Sequence, residues 1–83
     1  MKILGKQLVA ARGLLGWGQR QLAAAADVHL DTIVTWEHGE HEPRESTVRR
    51  VVAAIEERGV EFTNGGAPGV RFKPKQEHES ASE

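Results

Sequence analysis

Apolar residues recur every three to four positions through most of the chain and every second position near its end. Leu4, Leu8, Ala11 and Leu15 set the first period and predict a helix over residues 3–15, with these four side chains on one face. Gly13 weakens that helix by about 1 kcal/mol relative to Ala, and Gly16-Trp17-Gly18 breaks its pattern. A short second helix is expected from Gln19 to Ala26, with Leu22, Ala23 and Ala26 inward. Its run of alanines, Ala23–Ala26, favours helix with little bulk, so a neighbouring helix can approach closely. Asp27-Val28-His29 reads as a tight connection. A third helix over 30–38 draws its apolar bulk from Leu30, Ile33, Val34 and Trp36, and carries Asp31 in the first turn, where the helix dipole favours an acid. Gly39 supplies its stop. After a loop, Glu40–Arg44, containing Pro43, a fourth helix runs from Glu45 or Ser46 to Arg58, with Val48, Val51, Val52 and Ile55 inward, and Gly59 ends it.

Beyond Gly59 the period falls to two. Val60 and Phe62 alternate with Glu61 and Thr63, and Val70 and Phe72 alternate with Arg71 and Lys73. The segment between them, Asn64-Gly65-Gly66-Ala67-Pro68-Gly69, is rich in turn formers, so the pattern predicts a β-hairpin. An isolated hairpin is marginal in water, so its apolar face must pack on the helices or on another chain. From Pro74 onward no aliphatic residue is larger than Ala, and disorder is expected. The expected organisation is a helical domain over 1–59, a hairpin-like extension over 60–73 available as a dimer or partner interface, and a disordered acidic tail over 74–83.

Composition narrows the picture. The chain has 83 residues, with 39% hydrophobic and 28% charged. That suits one small soluble domain and leaves no room for a second core. Cys is absent, which excludes disulfide scaffolds, thiolate metal sites and cysteine catalysis. No apolar run approaches the roughly 20 residues that span a bilayer and no signal peptide is visible, so a cytoplasmic protein without membrane association is expected. The net charge of −1 hides alternating blocks: +4 over residues 1–26, −5 over 27–45, +3 over 46–76 and −3 over 77–83. A uniformly basic nucleic-acid clamp is not described by such a chain.

Two short helices joined by a tight turn make a helix-turn-helix. From Leu8 to about Ile55 the chain resembles the Cro/repressor-like (XRE) family of DNA-binding domains. The resemblance rests on LVAARGLLGWGQRQLAAAADV, TIVTWEHGEHEP and TVRRVVAAI, and most specifically on Trp36-Glu37, Gly39 and Pro43 following Ile33. It implies an all-α, lambda-repressor-like bundle of four to five helices, here extended by the short β-hairpin and the tail. It also implies a structural ion pair between Arg12 and Glu37, for which the planar guanidinium fork suits a partly buried carboxylate. The third helix would enter the major groove of a double-stranded DNA operator and present His29, Leu30, Asp31, Thr32 and Thr35 to base edges. Gln19 opens the second helix, where free backbone N–H groups can hold a phosphate. Arg20 and Arg44 are further phosphate contacts, with Lys2, Lys6 and Arg49 or Arg50 as additional cations.

The chain also departs from the family. Asp27 stands at the interhelix turn where Gly is common; Asp tolerates the left-handed region better than most residues. Gly18 and His29 replace the usual hydroxyl N-caps, and His is the weaker substitute. The third helix lacks Arg and Lys, so the commonest base contact, a basic side chain on guanine, cannot come from it. No catalytic constellation, cofactor motif or metal-ligand spacing appears, and an enzyme is not expected.

Two functions follow. One is a sequence-specific DNA-binding transcriptional regulator, a repressor in the simplest case, acting in a bacterial, phage or mobile-element setting as a homodimer. The other is an antiactivator-type regulator that captures a second transcription factor on the same fold, with Val60, Phe62, Val70 and Phe72 as its protein interface or, equally, as cover for its own core.

Overall fold

The computed structural model describes residues 2–74, and the acidic tail, apart from Pro74, lies outside the described residues. Four helices and a hairpin follow one another: α1 (Gly5–Leu15), α2 (Gln19–Ala26), α3 (Leu30–His38), α4 (Glu45–Glu56), β1 (Val60–Thr63) and β2 (Gly69–Phe72). The hairpin is antiparallel, with Val60 opposite Phe72 and Phe62 opposite Val70. α2 and α3 take the predicted bounds. α1 starts two residues later than its apolar period suggests, because Leu4 is extended and is the residue before the helix. α4 ends at Glu56, short of Arg58.

The core gathers Leu8 and Ala11 of α1, Leu22, Ala23 and Ala26 of α2, Ile33 and Trp36 of α3, Val51, Ala54 and Ile55 of α4, and Val60 and Phe62 of β1. The apolar face of α1 departs from its period at one position. Leu4 is exposed, and its place on the buried side is taken by Gln7 and by Ile3 of the preceding segment, whereas Leu15, like Val48 and Val52 of α4, is half-buried and packs against the core. Phe72 is 58% exposed, so it does not cover the core as Phe62 does.

Buried Gln7 is the joint between helix and hairpin. Its Oε1 accepts from the Leu4 N–H (2.8 Å), capping a helix start that has no hydroxyl. Its Nε2 donates to the carbonyl of Gly69 (3.0 Å) and lies within reach of the Thr63 carbonyl and Asn64 Oδ1. A polar side chain that is 4% exposed is tolerable only when satisfied in this way. Gly5 acts by being small. A Cβ there would stand 2.2 Å from the Trp36 carbonyl oxygen and 2.8 Å from Glu37 Cα, so α1 and the end of α3 meet backbone to backbone.

Candidate nucleic-acid interface

The turn between α2 and α3 is made by Asp27, whose φ of 58° is the left-handed value a helix C-terminus requires. The Val28 N–H reaches back to the Ala23 carbonyl (3.0 Å), closing α2, and the Arg50 guanidinium of α4 braces the turn through the Asp27 carbonyl (3.2 Å). The small side chains of Ala23 and Ala26 let neighbouring helices close on α2.

The C-terminal half of α3 is clamped from three directions. Trp36 Nε1 donates to the Ile3 carbonyl (3.1 Å) in the core. The Glu37 carboxylate, with its side chain 4% exposed, takes a two-pronged contact from Arg12: Nε to Oε2 at 2.7 Å and Nη2 to Oε1 at 2.9 Å. Gln19 Nε2 adds a third donor to Oε1 at 2.9 Å. Arg12 Nη1 in turn donates to the Trp17 carbonyl (3.0 Å), fixing the chain between α1 and α2. The hydrogen bond from Glu37 raises the Arg12 pKa above its ordinary value, against the opposing effect of partial desolvation. One carboxylate thus ties together α1, α2 and α3.

That arrangement leaves the N-terminal part of α3 facing outward. His29, its N-cap, and Asp31 are exposed, while Leu30, Thr32 and Thr35 are half-buried. The Thr35 hydroxyl donates to the Asp31 carbonyl (3.0 Å), so its lone pairs remain free to accept. Arg20 on α2 and Arg44 at the N-cap of α4 are both exposed and belong to no ion pair among the described residues, as does Lys6. Lys2 and Arg49 are different: each is paired, with Glu42 at 3.0 Å and Glu45 at 3.1 Å.

Gln19, expected to hold a phosphate through the backbone N–H groups at the start of α2, has a separate use for its side chain. Its side chain turns inward to Glu37, so any phosphate at this end of α2 meets backbone N–H groups, which no side chain caps. Gly18 is instead stabilised by Gln21, whose Oε1 accepts the Gly18 N–H (2.8 Å). The Gln19–Glu37 link is 18 positions apart in sequence and carries no periodic signal. Val60 and Phe62 are buried in the domain's own core, Val70 is half-buried, and Phe72 alone of the four is widely exposed. No group of three or more metal-ligating side chains gathers among the described residues, and none of their helices is long and apolar enough to cross a membrane.

A model of the helix-turn-helix family matches residues 8–62, more than half of the chain. The match begins inside α1 and runs through the first three residues of β1. No curated protein matches the chain.

Proposed function

The chain belongs to the helix-turn-helix family as an XRE-like regulator of the DNA-binding kind, and we propose that it lays α3 in the major groove of a two-fold operator, as a homodimer whose half-sites lie about 34 Å apart. The observation that carries this reading is the asymmetry of α3. Its C-terminal half is immobilised by Trp36 and Glu37, while its first turn and a half present Asp31, Thr32 and Thr35 outward. A rigid support with polar side chains at the exposed end is what direct readout needs. Thr32 and Thr35 offer hydroxyls and methyls, and Asp31 offers an acceptor for a cytosine amino group. Arg20 and Arg44 supply phosphate contacts, and the free N–H groups of α2 add a third.

With so few free cations, binding should be modest in affinity and dependent on salt. Selection of binding sites from random duplexes tests the proposal. The expected result is an enriched two-fold sequence. Its affinity should fall with salt, and Arg20→Ala should reduce the slope of log affinity against log salt by about one unit. Failure to enrich any sequence, together with binding indifferent to salt, overturns the reading. A second reading has a specific observation in its favour: α3 has no Lys or Arg and exposes Asp31, so its outer surface also suits capture of a basic segment of another transcription factor. Under that reading Asp31→Lys abolishes the protein complex, whereas on DNA the same change tightens non-specific binding.

A further inference from the structure

We propose that two copies of this chain associate through the outer edge of β2, forming a four-stranded antiparallel sheet about a two-fold axis at Arg71. The inference deepens the operator reading and rests on it for the dimer's use, while the contact itself follows from the hairpin. The Lys73 N–H donates to the Gly59 carbonyl at 2.8 Å, which makes 59 and 73 a hydrogen-bonded pair. Alternation along an antiparallel ladder then makes 61/71 and 63/69 hydrogen-bonded pairs too. The backbone N–H and C=O groups of Val70 and Phe72 therefore point away from β1. Among the described residues no hydrogen bond reaches them. This is an open sheet edge, which natural proteins rarely leave without a device to block or use it.

The side chains at that edge suit a copy of themselves. Val70 and Phe72 share the face of the sheet that carries Phe62 and Val60. In a two-fold pairing with Arg71 on the axis, Val70 lies opposite Phe72 of the second copy and Phe72 opposite its Val70. Two aromatic–β-branched pairs and four backbone hydrogen bonds result. On the other face Arg71 meets its twin, but each is bound to its own Glu61, so the row of charges reads minus, plus, plus, minus. Apolar surface continues onto α1. Gln7 holds Gly69 at one end of β2, and at the other Arg58 stacks over Trp17 (5.4 Å) beside the Gly59–Lys73 bond. β2 thus runs along α1 in the same sense. Leu14, two turns beyond Gln7 on α1, is itself 37% exposed. The chain's own C-terminal segment is a poor cover for this surface, because residues 75–83 contain no apolar residue larger than Ala.

Sedimentation of the full chain over micromolar to millimolar concentrations is the test. A monomer–dimer equilibrium is expected, and Phe72→Glu should raise its dissociation constant about tenfold or more. Because Phe72 is exposed, the thermal melt at low concentration should not change. The chain has no cysteine, so Arg71→Cys introduces a single one, which should form a symmetric disulfide under mild oxidation. Ala53→Cys, exposed on α4, should not. A wild type that stays monomeric, a dimer insensitive to Phe72→Glu, or faster crosslinking at position 53 would each overturn the proposal. So would dimerisation that appears only after truncation behind Pro74, which would assign the edge to the tail. Salt-dependent binding of selected two-fold duplexes by a wild type whose dimerisation is insensitive to Phe72→Glu sinks the interface and leaves the DNA reading intact. A β2-edge dimer without DNA affinity does the reverse.

Discussion

Two glycines of α1 look alike in sequence and have opposite roles. Gly5 has backbone of α3 within 3 Å of where its Cβ would be, whereas Gly13 has nothing within 4 Å. Gly5→Ala must therefore push α1 off α3, at a cost of about 3 kcal/mol, the upper end for overpacking. Gly13→Ala fills no occupied space in an exposed part of the helix and should stabilise by about 0.5–1 kcal/mol. Urea melts of the two variants decide the matter, and equal shifts in one direction would contradict the assignment. Gln7 belongs to the same scale. Gln7→Leu keeps the bulk but deprives the Gly69 carbonyl and the Leu4 N–H of their partner, so a loss of about 1–3 kcal/mol is expected. Neither role was legible from the chain, since a lone Gln on an apolar face and a Gly at a helix start carry no label for what will approach them.

At the level of elements, the ties on Glu37 decide how firmly α3 is held. A double-mutant cycle of Arg12→Ala and Glu37→Ala should give a coupling energy of about 2 kcal/mol, since the pair is largely withdrawn from water and two-pronged. The same cycle on Arg49 and Glu45, an exposed pair one turn apart on α4, should give about 0.3–0.5 kcal/mol and fade in salt. The Arg12 pKa is raised on folding, so its contribution is complete below the unfolded-state value and is lost only as pH rises through the higher folded one. The coupling should accordingly be equal at about pH 6 and about pH 9, where Arg is fully charged in either state. The resemblance pointed to Arg12 and Glu37, because both stand at recognisable motif positions. The third donor, Gln19, is legible in the sequence only as a helix start, and nothing local indicates that its amide faces inward.

For the whole molecule, the hairpin is part of the core. Val60 and Phe62 are buried with Leu8, Val51 and Ile55. Burying two such side chains contributes about 1.5–3 kcal/mol each. A chain ended at Gly59 should lose about 4 kcal/mol or more, much of the 5–15 kcal/mol typical of a small domain. Far-UV circular dichroism of that truncation should show a broad, weakly cooperative melt. A sharp transition close to the wild type would show that the helices suffice.

The order and kind of the elements and the left-handed turn at Asp27 were determined by the sequence alone. Each depends on local quantities: a period of 3.6 or 2, a tolerated φ, the break at Gly16-Trp17-Gly18. Tertiary structure alone decided that Leu4 faces water and Gln7 does not, that Gly5 sits against the backbone of α3, that Gln19 turns to Glu37, and that Phe72 remains exposed while Phe62 is buried. Those outcomes turn on which surfaces meet and at what distance. Periodicity places a side chain on a face, but only the neighbouring element determines whether that face is filled, paired or left open.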